Sequence, residues 1–138
     1  MKKVLLIGLL IGQLLPQSLD VTFRYITHPG EEFIRIFVPG TMPPGSNEDW
    51  GPNSNGMINP NAPSKMNYDE AIDAYKRTYS LNIGSEYLYK IHYHFNESGT
   101  DWQWISDPLN PNVTTDGYDN SILNFTDQNW NEYKYVTV

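Results

Sequence analysis

The chain has 138 residues, no cysteine, and 16 acidic against 9 basic side chains, a formal net charge of −7. That balance disfavours a sequence-independent hold on nucleic-acid phosphates or anionic membrane surfaces, which needs clustered Lys and Arg; the absence of thiols excludes disulfide staples, thiol catalysis and thiolate metal sites. Four Trp, ten Tyr and five Phe supply the core of one compact domain, and 10 Gly with 10 Pro set between short aromatic runs favour an all-β sandwich.

Lys2 and Lys3 precede the apolar run Val4 to Leu15, and Pro16-Gln17-Ser18 forms a polar exit. This pattern reads as a secretory signal over residues 1–18, of a bacterial kind, which places the mature chain in the periplasm, on the cell surface or outside the cell. A retained anchor is the alternative, but the run is short for a span that needs roughly 20 residues. Without residues 1–18 the chain keeps 7 basic and 16 acidic residues, a net −9.

Val21, Phe23 and Tyr25 alternate with Thr22, Arg24 and Ile26 as a first strand. His28-Pro29-Gly30-Glu31 is a turn. Phe33 to Val38, apolar on both faces except at Arg35, is expected as a central strand. Residues 39–65 show little helix or strand pattern and carry Trp50. An irregular connection of that length is more often functional than decorative; the alternative is that Trp50 pins the loop to the core. Met66 to Tyr68 is a brief strand, Asp69 to Asp73 one helical turn, and Tyr75 to Leu81 the next strand. Asn82-Ile83-Gly84-Ser85 is expected to fold that strand into a hairpin with its successor.

The successor organises the chain. Tyr87, Tyr89, Ile91, Tyr93 and Phe95 share one face, expected as core, while Glu86, Leu88, Lys90, His92 and His94 share the other, expected to be free. Asn96 to Thr100 is a polar turn, and Trp102 and Trp104 follow on a common face of the return segment. Asp107-Pro108 and Pro111 take the chain out of the sheet. Asp116 to Asn120 is a turn, Ser121 to Thr126 a strand, and residues 129–138 a last strand or the start of a linker to a further domain.

No nucleophile elbow, HExxH or phosphate-binding loop is present, and no catalytic unit or cofactor is nominated. His92 and His94, two apart on a strand, are a feasible imidazole pair for a metal, but no third ligand is signalled, and exposed sheet residues are the expected reading. The aromatics carry more. Sugar rings present apolar C–H faces rimmed by hydroxyls, and flat aromatic platforms edged by amides or lysines match them. Trp50, Trp102, Trp104, Lys90 and an Asn-rich loop supply those residue types.

At these residues the chain resembles the early-set, immunoglobulin-like glycogen- and starch-binding domains of carbohydrate-binding module family 48, which include the isoamylase N-terminal domain and the glycogen-binding domain of AMP-activated kinase β subunits. Ile34 to Gly40 with Ser46-Asn47-Glu48-Asp49-Trp50, then Tyr87 to Ile91, Trp104-Ile-Ser-Asp-Pro and Asn120-Ser-Ile-Leu follow the family's pattern in order. The likeness runs over roughly 20–126, with an inserted Met42-Pro43-Pro44-Gly45, a longer hairpin turn at 96–100 and an extra aromatic, Trp102. It implies an immunoglobulin-like β-sandwich of about seven strands over residues 19–128. It also implies a non-catalytic module that binds an α-glucan such as starch or glycogen, N-terminal to a secreted glycoside hydrolase. Trp50 and Trp104 would be the stacking platforms, with Lys90 and Asn120 bonding the glucan hydroxyls. Some members of the family have lost glycan affinity and pack on an amylase-like or esterase domain, which is the alternative reading.

Overall fold

The computed structural model describes residues 18–43, 50–125 and 135–138. Within them the chain is all-β, with eleven strands and no helix. The expected leader lies outside the described residues apart from Ser18, which opens β1 (Ser18–Tyr25). Among the described residues no helix is long and apolar enough to cross a membrane.

Alternation along β1 turns Val21, Phe23 and Tyr25 inward, and all three are buried. β6 (Ala74–Asn82) pairs antiparallel with β1 along its whole length, from Ser18 opposite Asn82 to Tyr25 opposite Tyr75. β11 (Tyr135–Thr137) lies parallel on the other edge of β1, and β5 (Asn67–Asp69) pairs antiparallel with β6, giving the order β11-β1-β6-β5.

The second layer is built on β7 (Ser85–Tyr89) and β8 (Ile91–His94), one path interrupted at Lys90. β10 (Ser121–Phe125) pairs with β7, β9 (Trp102–Ile105) with β8, and β2 (Arg35–Phe37) with the opposite edge of β8. Past β2 the chain stays against this path: Gly40 bridges Tyr89, and the Thr41 amide donates to the Leu88 carbonyl at 2.8 Å. Gly40 is required there, because a Cβ on it would lie 2.1 Å from the Leu88 carbonyl oxygen.

One core fills the space between the layers. Phe23, Tyr79 and Leu81 from the first meet Ile36, Tyr89, Ile91 and Phe125 from the second. Phe23 packs edge-on against Tyr79 and Tyr89, with ring centroids 5.8 and 5.2 Å away. Each buried tyrosine keeps a partner for its hydroxyl: Tyr79 donates to the Val38 carbonyl at 2.8 Å, Tyr89 to Asp107 Oδ2 at 2.6 Å. These are the inward faces that the alternation of Tyr87 to Tyr93 predicts, except that Phe95, past the end of β8, is exposed.

Several expectations are corrected. Residues 82–85 make no hairpin: β6 pairs with β1 and β5, whereas β7 pairs with β10, so this turn carries the chain from one layer to the other. The hairpin is β5–β6, closed by a turn at residues 70–73 where one helical turn was expected. β2 is the end strand of its sheet rather than a central one, its free edge covered by residues 64–66 through Val38 N–H to Ser64 O and Met66 N–H to Ile36 O, both 2.9 Å. Strands outnumber the expected seven partly because residues 39–65 contain two of them. Of the closing segment, residues 135–138 are described, as β11 and Val138.

Candidate functional site

The outer face of the β7–β8 path carries Lys90, His92 and His94, and it is not free. His92 and His94 are fully buried, contrary to the expectation of exposed sheet residues. What covers them is β3 (Asn53–Ser54) and β4 (Met57–Ile58), a hairpin inside the segment that the sequence left irregular. Its turn, Asn55-Gly56, has positive φ at both residues, 52° and 86°, the geometry of a two-residue hairpin loop. The hairpin is seated at two points: the Ile58 amide donates to His92 Nε2 at 3.3 Å, and Trp104 Nε1 donates to the Gly56 carbonyl at 2.5 Å. Phe37, Ile58, Ala62 and Trp104 complete a second small core around the imidazoles.

Burial holds the His92 imidazole far below its ordinary range, to about 3, with His94 beside it adding to the effect. His94 is lowered as well, by burial first and then by Arg35, which is ion-paired to Glu97 at 2.6 Å. Both rings are therefore neutral packing groups at neutral pH. Among the described residues no group of three or more His, Cys, Asp and Glu side chains is placed to hold a metal.

The hairpin leaves Lys90 uncovered. On the far edge of the path, β9 pairs up to Ile105 opposite Ile91 and β10 begins with Ser121 opposite Tyr89, so Lys90 stands at the seam where one strand leaves and the next enters. Around that seam opens a cleft of about 420 Å³, lined by Trp50, Asn53, Lys90, Trp104, Tyr118 and Asn120. Its size is that of a small-ligand site, and its walls combine aromatic rings with a few amides and one cation.

Each wall is held from below. The Asn53 amide donates to the Trp50 carbonyl at 3.0 Å, fixing the entry to the hairpin. Trp104 is tied to Gly56 and packs on His92, with ring centroids 4.5 Å apart. Tyr118 and Asn120 project from a turn braced on Asp116 and Thr114: Asp116 accepts from the Thr114 hydroxyl and the Tyr118 amide at 2.7 and 3.0 Å, and Thr114 Oγ1 accepts from the Asn120 amide at 3.0 Å. The Thr114 hydroxyl and the Tyr118 amide hold the Asp116 carboxyl below its ordinary range, and Lys90 contributes. Below the turn, the Asp107 amide donates to Ser121 Oγ at 2.7 Å and Asp107 Oδ2 receives the Tyr89 hydroxyl, fixing the exit from β9 to the entry of β10.

Four of the five residues singled out from the sequence, Trp50, Lys90, Trp104 and Asn120, thus line one cleft although they come from distant parts of the chain. Trp102 does not join them. It is 38% exposed and lies over Gly56 and beside His92, so it shields the hairpin turn. Sequence reasoning missed Asn53 and Tyr118. The signals were present: Asn55-Gly56 is the dipeptide of a two-residue hairpin loop, and a tyrosine at the tip of an Asp-Gly-x-Asp turn has no core to enter. Tyr118 is 71% exposed.

Compared with protein-family models, with curated proteins and with solved structures, the chain matches none.

Proposed function

We propose that the cleft binds a carbohydrate chain, an α-glucan such as starch or glycogen, and that the domain is a non-catalytic binding module of a secreted glycoside hydrolase. The observation that carries this reading is the convergence of Trp50, Trp104 and Tyr118 with Lys90, Asn53 and Asn120 around one open cleft. Aromatic faces take the C–H faces of pyranose rings, while the lysine and the two amides meet hydroxyls at their edges. No step of bond making or breaking is assigned to the cleft, and the immunoglobulin-like relationship to carbohydrate-binding module family 48 is part of the same proposal.

Affinity electrophoresis through soluble starch and pull-down on insoluble starch test it. The chain is expected to be retarded and retained, and Tyr118→Ala, at an exposed turn with little structural role, is expected to weaken retention several-fold. Trp104→Ala is expected to abolish it, though part of that loss comes from the broken bond to Gly56. Passage of the wild-type chain without retardation overturns the glucan reading.

A further inference from the structure

A second cavity shares no residue with the glucan cleft. Alternation along β8 and β9 sends Tyr93 and Gln103 to the opposite side of the sheet from His92 and Trp104, toward the layer that holds Tyr25. There Tyr25, Phe33, Tyr93 and Phe95, with Glu31, Glu32 and Gln103, line an open hollow of about 230 Å³. That is below the roughly 300–1,000 Å³ of a site for a drug-sized ligand, so the space suits a small headgroup.

The lining is selective in chemistry as well as size. Phe33 lies 5.5 Å from Tyr93, and Tyr93 stands nearly parallel to Phe95, 23° between ring planes at 6.0 Å, so the apolar wall is a continuous run of rings. Phe95 remains 37% exposed, a large aromatic left open to solvent beside two carboxylates. Glu31 is held in place: its Oε1 accepts from the Tyr25 hydroxyl at 2.5 Å and its Oε2 from the His28 amide at 2.9 Å. Glu32 is exposed. Among the described residues neither Lys nor Arg lines the cavity beside these carboxylates.

The rings call for an apolar surface and the carboxylates of Glu31 and Glu32 for a positive charge, so the lining suits an organic cation. A quaternary ammonium carries its charge under a skin of methyl groups and satisfies both requirements. We infer that this cavity binds the methylated ammonium headgroup of a small organic cation of the choline type. A phosphodiester attached close to that headgroup would stand against Glu31 and Glu32, so a free cation fits better than a phosphocholine lipid.

The test is titration of the full chain with choline, followed by the ring-proton resonances of Phe95 and Tyr93, beside 3,3-dimethylbutan-1-ol, its neutral isostere. Saturable shifts in the millimolar range are expected for choline, with the alcohol at least about tenfold weaker. Glu31→Gln/Glu32→Gln, which keeps an acceptor for Tyr25, is expected to remove that preference, and Phe95→Ala to weaken choline several-fold. Equal binding of choline and the alcohol, or no response to choline, overturns the proposal. Flotation with phosphatidylcholine vesicles separates the sources: the chain is expected to stay in solution, and vesicle capture lost in the double Gln variant would instead make a lipid the source of the same headgroup. Starch retention of the double variant is expected to be unchanged, so this inference and the glucan reading fail separately.

Discussion

His92 and His94 show how a single residue type can be legible in sequence while its environment is not. Their spacing placed them correctly on one face of a strand, but whether that face meets water depends on a hairpin formed more than 30 residues earlier in the chain. Because they are buried neutral, they make stability depend on pH. Their folded-state affinities for protons lie below the ordinary value of about 6.5, so between that value and about 3 for His92 the unfolded chain binds more protons than the folded one. Stability therefore rises with pH through this window and is lost on acidification. At about pH 5 the loss from His92 alone is of the order of 2 kcal/mol, read as a falling urea midpoint. His92→Gln, which keeps an acceptor for the Ile58 amide, is expected to flatten that slope. Asp107 is the other residue whose role is structural. Burial raises its carboxyl above the ordinary range while the Tyr89 hydroxyl and the Leu109 amide oppose that rise. Asp107→Ala leaves the buried Tyr89 hydroxyl, to which Asn110 Nδ2 still donates, without its acceptor and removes the acceptor of the Leu109 amide, with an expected cost of about 2–3 kcal/mol in denaturant unfolding.

At the scale of elements, the hairpin β3–β4 links the small core to the cleft. It covers the two imidazoles, accepts the bond from Trp104, and carries Asn53 into the cleft wall. Gly56 makes it possible: its φ is 86°, and a Cβ there would come within 2.8 Å of the Trp102 ring. Gly56→Ala is therefore expected to cost about 1–2 kcal/mol through the left-handed backbone conformation, with some shift of the exposed Trp102 ring. Its measurable signature is a parallel loss of thermal stability and of starch retention. The long strands were legible because alternation alone orients them, as for Val21, Phe23 and Tyr25. Pairing was less so. A short loop with a glycine at residues 82–85 permits a hairpin, and nothing local says that Tyr87 and Tyr89 find Leu123 and Ser121 instead of the preceding strand. Two-residue strands such as Asn53–Ser54 are too short for a periodic signal and owe their pairing to the turn between them.

For the whole molecule, the sandwich does two things with one strand path. Its inner face closes the core against β1 and β6, and its outer face is divided between a covered half, His92 and His94, and an open half at Lys90. The all-β class followed from composition and short aromatic runs, and the motif order around Trp50, Lys90, Trp104 and Asn120 anticipated residues that the fold brings to one cleft. Composition alone did not reveal the cleft's remaining wall, Tyr118, because a turn tip acquires a role only when the seam between β9 and β10 sets it beside Lys90. Among the described residues Lys90 is the one cation lining the cleft, and a polyanion, with its repeated charges, would call for several.

The most direct measurement is affinity electrophoresis of the wild-type chain and Tyr118→Ala through gels with and without soluble starch, with far-ultraviolet circular dichroism to show that both are folded. The account predicts that starch slows the wild type and slows the variant several-fold less, while both run alike in its absence. Equal mobility of the folded wild type with and without starch would contradict it, leaving the cleft without a glucan and favouring a domain that serves by packing against a catalytic partner.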